Sequence, residues 1–264
     1  MGGAPGPRLV SRGRFFSCYV PRVFKALICA VAFLTRMPVP EVEASERQFA
    51  RAAGFFPWVG MLVAAACWVC SLAVAPLGAR LAALCCVALW AWITGGLHLD
   101  GLADTADGLA GGRGETERTL EVMRDSRIGA HGAVVLALAL CLKWAALERL
   151  FAGDTGLAWL AAPVVARALA TLLIAFFPYA RQSGLGSSFA DHVGAFEVVL
   201  ALVAMVPLAV WLPPSWAPAA GVGALAGLLV ALRVRGVAGG LTGDTYGACI
   251  EVCEGVTLLA LAWG

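Results

Sequence analysis

An all-α, polytopic membrane bundle of about seven transmembrane helices is the architecture expected of this chain, on three grounds. Hydrophobic residues make up 61% of the 264 positions and charged residues only 14%, whereas a soluble globular chain is about 25% charged. Nineteen Lys and Arg with seventeen Asp and Glu are too few to coat a soluble domain of this length. The apolar residues come in runs near the roughly 20 needed for a helix to cross hydrocarbon about 30 Å thick. They also lack the period-2 alternation of a membrane β-barrel.

From the start of the chain, residues 1–22 form a basic tail, expected to be flexible, and residues 23–264 read as a single membrane domain. The apolar run 26–34 has the length of a signal-peptide core, but Thr35-Arg36-Met37-Pro38 follows it in place of a small-residue cleavage site. It is expected to form a short helix that lies at the interface or re-enters. Spans are expected at 55–75, 80–97, 132–150, 157–177, 196–212, 217–232 and 246–263. The connections after 75, 150 and 212 are short and nearly uncharged. Those at 98–131, 178–195 and 233–245, together with residues 1–54, hold 15 of the 19 Lys and Arg. By the positive-inside rule that face is cytoplasmic. A net charge of +2 with no basic stripe argues against a nucleic-acid partner. Eight of the nine cysteines fall in apolar runs and read as reduced packing residues, Cys67-x-x-Cys70 included.

The segment Gly95-Gly96-Leu97-His98-Leu99-Asp100-Gly101-Leu102-Ala103-Asp104-Thr105-Ala106-Asp107-Gly108 carries the most specific signal. Asp100, Asp104 and Asp107 stand at i, i+4 and i+7, on one face of a helix. No Lys or Arg lies between Leu81 and Gly112 to pair with them. Three like charges at that spacing repel unless a cation neutralises them, and an all-oxygen set suits Mg²⁺, or Mn²⁺. A solvated polar face is the plainer alternative. Gly239-Gly240-Leu241-Thr242-Gly243-Asp244 echoes the first segment, and Glu251 and Glu254 follow inside an apolar run, where ionised groups are costly. Six carboxylates opening at one membrane face are expected to converge and could hold two divalent ions, an arrangement suited to in-line displacement at phosphorus.

Cations for phosphate are expected on the same side. Arg124, Ser126 and Arg127 precede a helix, where free N–H groups and the dipole also favour anions. Arg181 stands in a second loop with Gly184 and Gly186. Arg167, inside a span, either pairs with a carboxylate or reaches a phosphate. Lys143, also inside a span, pairs with Glu148 or snorkels. His98 is a candidate base or phosphate donor, while His131 and His192 read as local hydrogen-bonding residues.

Together, Phe33-Leu34-Thr35-Arg36-Met37-Pro38-Val39-Pro40, the 95–108 segment, 124–129, 179–186 and 239–254 resemble, in order, the bacterial cobalamin synthase family, the adenosylcobinamide-GDP ribazoletransferases. The resemblance implies a transferase of the bacterial inner membrane that uses a divalent metal, usually Mg²⁺. Its substrates would be adenosylcobinamide-GDP and α-ribazole or α-ribazole 5′-phosphate, and GMP would be released at the last step of nucleotide-loop assembly. It implies Asp100, Asp104, Asp107, Asp244, Glu251 and Glu254 as the metal set, with Asp104, Asp107 and His98 as catalytic candidates and Asp107 preferred as proton acceptor. Arg36, Arg124, Ser126, Arg127, Arg167, Arg181, Gly184 and Gly186 would face the phosphates. Expected partners are these substrates and the lipid bilayer, with a homo-oligomer or other cobalamin-assembly enzymes as candidate protein partners. Two alternatives remain open on the residues alone. One is an ion-coupled transporter, which would place its acids deep in the spans. The other is a CDP-alcohol-type phosphotransferase, whose Ala-Arg after Asp-Gly is missing here.

Overall fold

The computed structural model describes residues 21–153, 156–181, 189 and 191–264. Gly184, Gly186 and most of the basic tail lie outside the described residues. Within them the regular structure is helical, joined by loops, apart from one isolated parallel bridge, Tyr179 to Leu241. The helices are α1 (Arg22–Leu34), α2 (Glu46–Ala50), α3 (Phe56–Val74), α4 (Ala79–Ile93), α5 (Leu97–Gly111), α6 (Thr116–Val122) and α7 (Ala130–Ala152). They continue as α8 (Ala161–Phe176), α9 (Ala195–Val203), α10 (Met205–Trp211), α11 (Trp216–Ala238) and α12 (Gly243–Trp263).

Five stretches are long and apolar enough to cross a membrane, Glu46–Leu77, Ala130–Ala152, Ala158–Phe176, Trp216–Ala238 and Gly243–Trp263, and a sixth arises only if α4 and α5 count together. The expected span 80–97 is α4, which stops at Ile93; Gly95 and Gly96 then take φ of 65° and 72°, a left-handed turn that glycine makes at little cost. Helix α5 leaves α4 at 86° and packs against α12. The expected span 196–212 is two helices of nine and seven residues that meet at Ala204. Helix α1, with 13 residues, is about 20 Å long, too short to cross. Phe33, Phe49, Phe56 and Phe189, with ring centroids 4.8 to 6.0 Å apart, fasten α1 and α2 to the start of α3.

The chain's connections gather at two ends. At one end Arg36 N–H donates to Ile93 O, Thr116 Oγ1 to Val237 O, and Ala180 N–H to Leu241 O. At the other, Arg80 pairs with Glu148, Arg149 reaches Ala262 O, and Gly156, Pro213 and Gly264 line one surface groove. This is the division expected from charge. Helix α8 runs through the middle, with 78% of its apolar window buried against 22% for α7. Cys67 of α3 and Cys86 of α4 face each other, each thiol toward the other's carbonyl, as packing residues.

Candidate active site

The acidic segment becomes α5, and α5 crosses the start of α12. The crossing is close because Gly101 sits on the backbone of Asp244: a Cβ at Gly101 would stand 2.6 Å from the Asp244 carbonyl oxygen. Asp100, Asp104 and Asp244 thereby face one another at the end of the bundle where the charged loops gather. Burial, followed by the charges of Asp100, Asp244 and Asp107, pushes the Asp104 carboxyl up to about 6, against the opposing pull of Arg181. Arg181 Nη2 donates to Asp244 Oδ2 at 2.7 Å, and the Thr242 hydroxyl, which caps α12, reaches the same oxygen at 3.4 Å.

Among the described residues no three His, Cys, Asp or Glu side chains form a ready-made metal cage. Mg²⁺ does not need one, since it keeps several waters and takes one or two carboxylates together with substrate phosphate. Asp100, Asp104 and Asp244 fit that use as hard oxygen donors with mutual repulsion for a cation to relieve.

Asp107, one turn further along α5, is engaged differently. Its carboxylate accepts the backbone N–H groups of Gly129 at 2.7 Å and Gly132 at 2.8 Å, which caps the start of α7 and favours the anion there. Arg124 and Ser126 are exposed in the preceding loop, and Arg127 is held by Asp125 at 2.7 Å. That pairing lowers the Asp125 carboxyl to about 2. Arg36 reaches Gly95 O at 3.4 Å, beside the α4–α5 turn.

Glu251 and Glu254 do not join the aspartates. Lys143 Nζ of α7 bonds both carboxylates at 2.7 Å, and Arg167 Nη1 of α8 bonds Glu254 at 2.7 Å. All four side chains are buried. Glu254 lies ten residues beyond Asp244, about 15 Å along α12, so the six-carboxylate site is corrected to a trio at the surface and a separate neutral network inside. Of the two readings of Arg167, the carboxylate pair holds. Lys143 pairs with Glu251 and Glu254, whereas Glu148 is taken by Arg80. His98 is buried, with Nδ1 3.5 Å from Arg167 Nη2; this places it in the network and away from an open reaction site. The sequence held the signal for this in Lys143 and Arg167, two cations as deep in their spans as the two glutamates are in theirs.

A family model described as cobalamin-5-phosphate synthase matches residues 26–262. The chain belongs to this family. It is 40% identical over 237 residues to an adenosylcobinamide-GDP ribazoletransferase of Ectopseudomonas mendocina, covering 88% of this chain and 96% of the relative. A ribazoletransferase of Pseudomonas aeruginosa is 40% identical over 248 residues, covering 90% and 98%, and one of Acinetobacter baumannii is 37% identical over 237 residues, covering 87% and 93%. No solved structure matches the chain. The cobalamin-5-phosphate synthase match takes in both acid-bearing helices and the loops between them, and it sets aside the transporter and CDP-alcohol readings.

Proposed function

We propose that the chain is an adenosylcobinamide-GDP ribazoletransferase whose reaction centre is the α5–α12 crossing at the face of the membrane. The observation that carries this reading is the convergence of Asp100, Asp104 and Asp244, with Arg181 bonded to Asp244, in a chain of this family. The enzyme joins adenosylcobinamide-GDP to α-ribazole or its 5′-phosphate. The ribose 3′-hydroxyl oxygen forms a bond to the phosphorus next to cobinamide, the bond from that phosphorus to GMP breaks, and GMP leaves. Asp100, Asp104 and Asp244 would hold Mg²⁺, with Mn²⁺ as a substitute, and the ion would neutralise charge on the diphosphate and its leaving group. The hydroxyl proton passes to whichever of the three carboxylates is turned from the ion; Asp107, already bonded to two N–H groups, orients the start of α7. Arg181 neutralises phosphate oxygens once they compete for its guanidinium, and exposed Arg124 extends the positive wall. The excess of Lys and Arg at this end supports the reading that it faces the cytoplasm from the bacterial inner membrane.

The test is to incubate detergent-solubilised protein with adenosylcobinamide-GDP and α-ribazole or its phosphate, with Mg²⁺ or with EDTA, and to follow GMP and the corrinoid product by chromatography. Metal-dependent release of both is expected. Absence of product from folded protein would overturn the reaction, and undiminished release in EDTA would overturn the metal site.

A further inference from the structure

Next to Asp107, the α5–α6 connection, α6 and the start of α7 enclose an open groove of about 570 Å³, a size suited to small ligands. Its charged lining is Asp107, Arg113, Arg118, Asp125, Arg127 and His131. Both acids are already engaged, Asp107 by the Gly129 and Gly132 N–H groups and Asp125 by the Arg127 guanidinium. Arg113 and Arg118 form no ion pair with any described residue, so their guanidinium groups stay available to a ligand in the groove. Arg113 is also the one non-glycine among the described residues with positive φ, at 51°, a backbone conformation that glycine adopts more cheaply. An arginine held in that turn brings its side chain to the groove at a conformational cost that the chain bears.

We propose that this groove binds a phosphate monoester, namely the 5′-phosphate of the acceptor nucleoside, one helical turn along α5 from Asp104. Two guanidinium groups that line one groove match the oxygens of a terminal phosphate. The family description specifies a 5-phosphate product, whereas the relatives' names specify only ribazole. Arg113 and Arg118 are the side chains that would discriminate between the two acceptors. The inference rests on the α5–α12 crossing being the reaction centre, and the donor's own phosphates are the competing source of the same chemistry.

The test compares wild type with Arg113→Gly, Arg118→Gln and the double variant, each purified as the full chain. Arg113→Gly keeps the left-handed turn accessible, and a matched size-exclusion profile controls for folding. The KM for α-ribazole 5′-phosphate is expected to rise about tenfold per lost guanidinium, in line with a charge-assisted hydrogen bond, while the KM for α-ribazole moves far less. Arg118→Lys should restore part of the loss. Direct titration of α-ribazole 5′-phosphate in the absence of the donor should reveal the same weakening without turnover. Equal effects on both acceptors would overturn the assignment, as would a rise confined to adenosylcobinamide-GDP. Wild-type protein that forms no product but binds α-ribazole 5′-phosphate through Arg113 and Arg118 would leave the groove standing and sink the reaction centre instead.

Discussion

Asp104 and Glu254 are carboxylates of opposite circumstance. Asp104 faces other carboxylates, and its burial beside them pushes its proton affinity up, so removing its charge relieves repulsion. Asp104→Asn is expected to lower turnover at least about 100-fold, the scale of a lost electrostatic contact to the reacting phosphate, while the thermal midpoint in detergent holds or rises. A variant that keeps near-normal turnover would exclude Asp104 from the site. Glu254 instead bonds Lys143 and Arg167 at 2.7 Å each with no exposure. Neutralising it leaves two buried cations to share Glu251, and breaking a buried pair costs about 3–5 kcal/mol. Glu254→Gln should therefore lower the thermal midpoint and the membrane yield sharply, and a second change, Lys143→Met, should recover part of both. An unchanged midpoint in the single variant would remove the network from the account of stability.

Helix α5 matters to the site through its placement more than its length. The left-handed Gly95 and Gly96 set its angle, and the bare Gly101 sets its distance from α12. A Cβ at Gly101 meets Asp244 backbone at 2.6 and 3.0 Å, and backbone cannot step aside as a side chain would. Gly101→Val is expected to part the two helices, draw Asp100 and Asp104 from Asp244, and reduce turnover at least tenfold; Gly255→Ala, with open space around it on the same α12, should leave activity near normal. Comparable rates for the two variants would show that close approach at Gly101 is not required. The helical character of the 100–107 segment was legible from the i, i+4, i+7 spacing, and the Gly-Gly-Leu echo also had content. Gly95 at 65° and Gly239 at 75°, the first glycine of each echo, stand just past the end of one helix and shortly before an acid-bearing helix begins. What spacing could not reveal was which neighbour each acid meets. Glu251 and Glu254 follow Asp244 on the same helix, but two further turns carry them down to α7 and α8, where Lys143 and Arg167 wait.

At the scale of the whole molecule, hydropathy marked each pass of the chain, because lipid-facing helices must be apolar whatever their tertiary partners. It overestimated the continuity of one of them, 196–212. The break at Ala204 is a backbone event inside apolar sequence, and an average over the run does not register it. Charge decided the ends more firmly: the described loops that carry most of the Lys and Arg meet at the aspartate end, and Gly156, Pro213 and Gly264 meet at the other. Helix α12 begins at Asp244 in the first group and runs away from it. The carboxyl terminus must then lie across the membrane from the reaction centre. Alkaline phosphatase fused after Gly264 should be active, because that enzyme folds only outside the cytoplasm, and the same reporter inserted at Gly114, in the exposed α5–α6 turn, should be inactive. A fluorescent protein that matures only in the cytoplasm should give the reverse pattern. If phosphatase were active at Gly114 and silent after Gly264, the aspartates would face away from the cytoplasm, where nucleotide-bearing substrates are made, and the proposed orientation of the site would fall.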